Sequence, residues 1–214
     1  PYVVRIGTSF SRERTQGTSD PLAHYFNFAR LGITDRSNLV LNTKFTHILS
    51  ATTLYEVNVN YTDYRRKVYD PDHGDTFFNY NDSIANAKFG YKYRSYATDP
   101  GSSMNGGGYN LYSFQLCRYG AAMTNFTKEK QARWGGSLDF TSQVNANHQL
   151  KVGVLGEYNI VRLFTTGSAS LLQYYRDTPD IIRSGGKKSD YNIARQGQVN
   201  NYGYDFYGNE ITDT

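Results

Sequence analysis

Residues 53–66 read TLYEVNVNYTDYRR, and apolar and polar side chains alternate along this stretch. The apolar members are Tyr55, Val57, Val59 and Tyr61, and the polar members between them are Glu56, Asn58 and Asn60. Because successive side chains of a strand point to opposite faces, this period of two predicts a β-strand with one apolar and one polar face. The stretch is about 14 residues long, whereas strands of soluble proteins usually run about 5–6 residues.

The same alternation recurs along most of the chain. It predicts further strands near residues 2–12, 39–49, 85–96, 109–119, 134–144 and 149–164. The connections at 50–52 and 145–148 are short, whereas those at 13–38, 67–83 and 165–214 are long and polar. Long strands joined alternately by short turns and long loops are typical of outer-membrane barrels. The sequence therefore predicts an all-β chain, an antiparallel meander of long strands forming part of a transmembrane outer-membrane β-barrel. Residues 165–214 would be an external loop, and all of 67–131 could instead be one external excursion.

Composition narrows the class of protein. The 214 residues include 20 Tyr, 12 Phe and one Trp but only 5 Pro, which argues against a disordered chain. The sequence contains no run of 18 apolar residues, so it does not predict a transmembrane helix. The net charge of +4 is mild and scattered, so we expect no nucleic-acid partner. The single cysteine, Cys117, excludes a disulfide framework.

On the barrel interpretation, the two faces of the strands meet different surroundings. The predicted lipid-facing residues are Tyr55, Val57, Val59, Tyr61, Leu150, Val152, Val154 and Tyr158. The predicted lumen-facing residues are Glu56, Asn58, Asn60, Asp139, Gln143, Lys151 and Glu157. Tyr55 and Tyr61 lie about 20 Å apart along the strand, which suits two aromatic girdles, although aromatic residues also pack well in any sheet. The polar face needs water or a plug, because burying unpaired charges costs several kcal/mol each. We therefore expect a wide barrel whose other strands come from chain outside these residues.

Two kinds of binding site are considered in the loops. Tyrosine offers a rigid ring and a hydroxyl at low entropic cost, so the loop tyrosines are candidate ligand contacts, with a solvated loop of self-packed aromatics as an equal alternative. These candidates are Tyr174, Tyr175, Tyr191, Tyr202, Tyr204 and Tyr207. Asp70, Asp72 and Asp75 form a weak Ca²⁺ candidate, although turn chemistry alone accounts for them. We find no nucleophile motif and no grouped histidines, and so predict neither a catalytic site, nor another metal site, nor a cofactor.

Residues 135–153, GGSLDFTSQVNANHQLKVG, resemble a barrel hairpin of TonB-dependent outer-membrane receptors. The likeness is to the branch that carries a carboxypeptidase-regulatory-like domain before the plug. Residues 201–210, NYGYDFYGNE, are similar to an external loop of that branch, and residues 41–69 to its earlier hairpins. The resemblance implies a bacterial outer-membrane transporter with a plugged barrel of about 22 strands. It also implies outer-membrane lipid around the barrel, an unidentified imported ligand, and an energising TonB-type complex reached through a plug outside these residues.

Two other functions fit the same pattern. One is another outer-membrane barrel, such as a porin or an adhesion or assembly barrel. A plug domain upstream would distinguish the TonB-dependent receptor from these barrels. The other is a secreted β-sandwich that binds glycans through exposed Tyr and Trp side chains. A sandwich should remain monodisperse without detergent, whereas strands with one uncovered apolar face should aggregate.

Overall fold

The computed structural model describes residues 1–17, 24–80, 83–91, 109–111, 114–116, 119–120, 124–167, 199–205 and 207–212. Its six-stranded sheet contains β1 (Tyr2–Gln16), β2 (Ile33–Ile48), β3 (Thr53–Tyr69), β6 (Phe126–Asn145), β7 (His148–Thr166) and β8 (Val199–Tyr202). The short strands β4 (Tyr109–Leu111) and β5 (Phe114–Leu116) form a separate two-stranded sheet. The helical elements are 3-10 turns at Phe28–Arg30 and Phe77–Asn79 and the α-helix α1 (Ser83–Ala87). No helix in the described part of the chain is both long and apolar enough to cross a membrane.

The large sheet is an antiparallel meander in the order β1-β2-β3-β6-β7-β8. Five of its strands are long, from 15 residues in β1 to 20 in β6. The predicted all-β class and the antiparallel meander of long strands are therefore confirmed. The sheet is open in this structure and does not close into a barrel.

Two tight turns join the long hairpins. Between β2 and β3, the Leu49 amide donates to Thr53 O over 2.9 Å. Between β6 and β7, the Asn145 side-chain oxygen accepts a hydrogen bond from the Asn147 amide over 2.9 Å. At the β2–β3 turn Ser50 Oγ likewise accepts from the Thr52 amide over 3.2 Å, and Asn or Ser side chains that bond the backbone two residues on stabilise such short turns.

The prediction of a strand over 85–96 is wrong over the residues that the structure describes. Ser83–Ala87 is a helix, and residues 92–96 lie outside the described part. The apolar alternation there was misleading because Asn86 is a buried polar residue, 1% exposed, whose amide donates to Asn79 O and Tyr80 O. Local alternation does not register such a tertiary requirement.

Other boundaries also differ from prediction, and β1, β2 and β6 extend beyond their predicted limits. Residues 109–119 do not form one strand, because Leu111 pairs with Phe114 in a tight hairpin of β4 and β5. The predicted loop 165–214 contains β8, which pairs with the end of β7 from Leu163 to Thr166. Because β6, which begins at Phe126, is the sheet neighbour of β3, the chain between them is one excursion between adjacent strands, and the external position given to 67–131 stays a prediction.

The chain divides into two compact units. The strand unit comprises Pro1–Arg12, Arg36–Arg65 and Lys130–Val161, and the loop unit comprises Glu13–Asp35, Arg66–Glu129 and Arg162–Thr214. The hydrophobic core lies in the loop unit and consists of Phe77, Tyr80, Phe126, Phe164, Val199 and Tyr204. Among the described residues of the strand unit, Ala132 is the only buried apolar side chain. The loop unit therefore buries apolar side chains in a core, whereas the strand unit leaves most of its apolar side chains exposed.

Candidate functional site

The polar face of the strand unit is formed by side chains that bond across neighbouring strands. Lys44 Nζ on β2 lies 2.9 Å from a carboxylate oxygen of Glu56 on β3. Farther along β3, Asn58 Nδ2 donates to Ser137 Oγ on β6 over 3.0 Å, and Ser137 Oγ donates to Asp139 over 3.1 Å. Three predicted lumen-facing residues, Glu56, Asn58 and Asp139, are thus brought into one polar layer.

A shallow depression of about 340 Å³ lies on β1, β2 and β3. The residues that line it include Arg5, Asn42, Lys44, Asn58 and Asn60. Two cations and three carboxamides, with no carboxylate among the lining residues, offer many hydrogen-bond donors and a net positive charge, a combination suited to hydroxyl-rich or anionic groups. Arg5, Asn42 and Lys44 were absent from the predicted set, although their alternation with apolar neighbours was a usable signal.

Two glycines allow polar side chains of adjacent strands to approach closely. A Cβ at Gly153 of β7 would lie 2.6 Å from Asp139 Oδ1, and a Cβ at Gly135 of β6 would overlap the carboxamide of Asn60. Gly is used where a neighbouring group comes this near the backbone. These glycines therefore make room for the polar layer.

The other predicted lumen-facing residues are more dispersed. Gln143 Nε2 donates to Asn145 O over 2.8 Å beside the β6–β7 turn. Glu157 forms an ion pair with Arg133, and Lys151 is exposed. The structure therefore does not gather these three residues into one site.

The apolar face of β3 has an aromatic contact at each end. Tyr55 lies against His47, with ring centroids 5.3 Å apart, and six residues later Tyr61 lies against Trp134, with centroids 4.2 Å apart. Between them, Val57 is half-buried and Val59 is exposed. The remaining predicted lipid-facing residues are all exposed: Leu150, Val152, Val154 and Tyr158.

The tyrosines predicted to contact a ligand differ in their exposure to solvent. Tyr202 and Tyr207 are exposed, at 65% and 56%. Tyr204 is only 4% exposed and belongs to the loop-unit core, where its ring lies 6.1 Å from that of Phe164, so its prediction as a ligand contact is wrong. Tyr174, Tyr175 and Tyr191 lie outside the described residues.

The Ca²⁺ candidate is also wrong, because its three carboxylates bind different protein groups. Asp70 is fully buried and pairs with Arg30 over 3.0 Å. Asp72 accepts a hydrogen bond from Tyr91 Oη over 2.7 Å, and Asp75 pairs with Lys67. Among the described residues no group of three acidic, histidine or cysteine side chains is arranged to hold a metal ion.

Sequence reasoning missed the polar centre of the loop unit, which is built on Arg30. This guanidinium is 1% exposed and pairs with Asp70 through Nε. It also donates to Tyr80 O over 2.7 Å, to Asn86 Oδ1 over 2.6 Å and to Gly120 O. The bonds join segments that lie 40 to 90 residues apart in the chain. No local pattern marks Arg30, so the sequence held no usable signal for it.

Tyrosines around this centre are held in the protonated form. Burial raises the pKa of Tyr80 far above its usual value. Burial, together with the hydrogen bond to Asp72, raises the pKa of Tyr91 to about 12. The Tyr91 ring lies under the Arg30 guanidinium, 4.6 Å from ring centroid to carbon, a cation–π distance. These groups are set up to hold three chain segments together rather than to exchange protons near neutral pH.

Comparison with known proteins gives no assignment: no family model, curated protein or solved structure matches this chain.

Proposed function

We propose that the chain forms part of the wall of an outer-membrane β-barrel, with the long loops at the membrane exterior. We further propose that the barrel is a TonB-dependent-receptor-like transporter that imports a ligand. The observation that carries the first proposal is the uncovered apolar face of long strands in the strand unit.

The exposure of that face is extensive. On β1, Ile6 and Phe10 are 77% and 66% exposed, and on β7, Val152 and Val154 are 59% and 65% exposed. Soluble monomers rarely leave such neighbouring apolar side chains in water. Lipid hydrocarbon around this face would remove the free-energy cost of exposing apolar side chains to water. Each strand would then contact the lipid with apolar atoms, and its backbone groups would be hydrogen-bonded within the sheet.

The edges of the sheet support the same proposal. β1 is the first strand in the sheet order, and β7 pairs with β8 only from Leu163 to Thr166. Within the described residues, β7 therefore has no second neighbour over residues 148–161. Long unpaired edges favour association with further strands, and closure into a barrel removes them. Additional strands on both sides would complete the wall.

The order of side chains along the strands also suits a bilayer. The aromatic contacts at Tyr55 and Tyr61 are six residues apart, about 20 Å along the strand and about 15 Å along the membrane normal once the strand is tilted, which fits within the apolar band of such barrels. The opposite face carries the polar layer of Lys44, Glu56 and Asn58. A barrel assigns these faces to lipid and to a hydrated or plugged lumen. A sandwich would instead need a second layer over the apolar face, and among the described residues of the strand unit that face remains exposed.

Cysteine labelling of the full-length protein tests the wall. Ile84 of the loop unit is 75% exposed, Val154 of the apolar face is 65% exposed, and Ala146 lies exposed in the β6–β7 turn. Each would be replaced by cysteine in a Cys117→Ser background and treated with a membrane-impermeant maleimide. We expect Ile84→Cys to react on intact cells and Ala146→Cys to react only after the outer membrane is permeabilised. Val154→Cys should stay unreactive until denaturant is added.

All three positions are exposed in the protein alone, so they act as controls for one another. Full reaction of all three variants in denaturant would establish that each thiol is intact. A secreted sandwich, with a second layer over its apolar face, predicts that Ala146→Cys reacts without any permeabilisation of the membrane, and that result would contradict the barrel.

The transporter proposal has a separate test in the coding sequence that flanks these residues. It predicts a plug domain upstream and further alternating strands downstream that end in an aromatic residue. Strands without a plug would favour a porin or an adhesion or assembly barrel. A leader directly before Pro1 and a stop directly after Thr214 would rule out a wide barrel and favour the glycan-binding sandwich.

A further inference from the structure

The cross-strand contacts of the sheet fix which residues lie level with one another. The pairs that set the register are Pro1–Ile48 and Gly17–Gly32 for β1 and β2, Leu49–Thr53 and Thr46–Glu56 for β2 and β3, and Tyr61–Trp134 and Asn58–Ser137 for β3 and β6. Counting along the strands from these pairs, Arg12, Ser37, Arg65 and Lys130 lie at one level on four neighbouring strands of the strand unit.

Three of these four residues are basic, and they share the apolar face. Each is an even number of positions from an apolar-face residue of its own strand: Arg12 from Phe10, Arg65 from Tyr61 and Lys130 from Trp134. The basic row lies four residues, about 13 Å, beyond the contact of Tyr61 with Trp134. Neighbouring strands are about 4.8 Å apart, so Arg65 and Lys130 are adjacent and Arg12 is about 10 Å from Arg65.

We propose that Arg12, Arg65 and Lys130 bind the phosphate groups of anionic membrane lipids. The inference rests on the proposed function, because only a strand unit within a membrane brings this row to the level of lipid headgroups. Tyr and Trp side chains occupy the boundary between hydrocarbon and water, so cations four residues beyond Tyr61 and Trp134 meet the headgroups. Arg binds phosphate with paired hydrogen bonds, and each basic side chain near an anionic surface strengthens association about fivefold.

Asp63 prepares Arg65 for this role. The Asp63 carboxylate is 8% exposed and accepts hydrogen bonds from Tyr61 Oη over 3.1 Å and from Arg65 Nε and Nη2 over 3.1 and 2.8 Å. The Arg65 side chain nevertheless remains 60% exposed. Asp63 therefore fixes the guanidinium next to the aromatic boundary without covering it. Together with Lys130 and Arg12, Arg65 places three positive charges at this level of the apolar face.

The test compares lipid association in vesicles that contain the full-length protein. Electron spin resonance would measure the association of spin-labelled phosphatidylglycerol relative to spin-labelled phosphatidylcholine. We expect the wild type to prefer phosphatidylglycerol and the variant R12Q/R65Q/K130Q to lose that preference. The matched control, R5Q/K44Q/K151Q, removes as many cations from the polar face and should keep it. If the triple variant fails to reconstitute, Lys130→Gln alone should lower the ratio about fivefold, while Arg65→Lys should preserve most of it.

The outcomes separate this proposal from the function on which it rests. A wild type that does not enter vesicles would overturn the barrel and the lipid site together. A wild type that enters vesicles but shows equal association with both lipids, or loses its preference equally in both triple variants, would overturn the lipid site alone. Abolition of the preference by inorganic phosphate would identify a free-anion site and would also overturn it.

Discussion

In the strand unit, Val152 and Val154 leave 59% and 65% of their surface exposed, whereas Phe126 and Phe164 of the loop unit expose 1% and 0%. Burial of apolar surface stabilises a protein by about 25 cal/mol per Å². The loop unit gains this stabilisation from its own residues, and the strand unit does not. The loop unit therefore covers its own apolar surface, and the exposed apolar face of the strand unit is what supports the proposal of an apolar surrounding.

The ion pairs of the two units differ in the same way. Arg30 and Asp70 are 3.0 Å apart with side chains 1% and 0% exposed. Lys44 and Glu56 are 2.9 Å apart with side chains 39% and 29% exposed. The two pairs have similar distances, but breaking the buried pair should cost more free energy. Removing one member of a buried pair leaves the other charge without a partner and without water.

Arg30→Met tests the buried pair and should have the largest effect of the changes considered. We expect it to destabilise the loop unit by about 3–5 kcal/mol, since Asp70 would be left charged and buried. The matched change Lys44→Met should cost less than about 1 kcal/mol, because that pair is partly solvated. Hydrogen exchange would measure each change with a probe in its own unit: the Asp70 amide, which bonds Tyr80 Oη over 2.9 Å, for Arg30→Met, and the Leu49 amide, which bonds Thr53 O over 2.9 Å, for Lys44→Met. Equal losses would show that the two units do not differ in this respect.

Val57→Arg tests the apolar face of the strand unit. In the full-length protein it should destabilise the membrane-inserted state by about 2–4 kcal/mol, because it places a charge at the lipid midplane. Asn58→Arg, one residue away on the polar face, should have almost no effect. Folding titrations into lipid vesicles would measure both changes, and similar effects at the two positions would refute the assignment of faces.

Gly120→Ala tests close packing in the loop unit. Gly120 has φ +77°, and a Cβ there would lie 2.6 Å from Tyr91 Cβ. Gly90 has nearly the same backbone, φ +79°, but open space around it. Gly90→Ala therefore measures the backbone strain alone, and Gly120→Ala should exceed it by about 1–3 kcal/mol through the clash. Chemical unfolding of the loop unit would report the difference, and equal costs would mean that Tyr91 moves away freely.

Alkaline titration should produce the smallest effect. Because the pKa of Tyr91 is raised from 10.0 to about 12, the folded state keeps this proton after the unfolded chain has lost it. The corresponding stability is complete below pH 10 and is lost as the pH rises to about 12. Tyr91→Phe should weaken this part of the pH dependence. Unfolding midpoints measured across that range would reveal the change, and an unaltered profile in the variant would assign the loss to other groups.

The long strands were predictable because their environment repeats with the geometry of the strand. Alternation along 53–66 and 149–164 predicted β3 and β7 within a few residues at each end. The start of β2 at Ile33 was missed because the polar stretch from Thr34 to Asn38 hides the alternation. The positions of the long strands could therefore be predicted from local alternation, which is present wherever the two faces of a strand meet different surroundings.

The core of the loop unit was not predictable in this way. Arg30 bonds Gly120, 90 residues away, and Asn86 is buried by contacts that only the folded chain provides. Tyr204 looks like its exposed neighbour Tyr202 in sequence, yet it is buried against Phe164. Such long-range contacts leave no periodic trace, and so candidate ligand contacts in the loops were the weakest of the predictions.

The most direct test of the two-faced wall is a scan of spin labels placed singly from residue 55 to residue 61 of β3, in the full-length protein in membranes. The account predicts that collision with molecular oxygen, which partitions into lipid, peaks at positions 55, 57, 59 and 61. Collision with a water-soluble nickel complex should peak at 56, 58 and 60. Access of the nickel complex to every position, or accessibility without a period of two, would contradict the claim that the strand unit separates lipid from a polar interior.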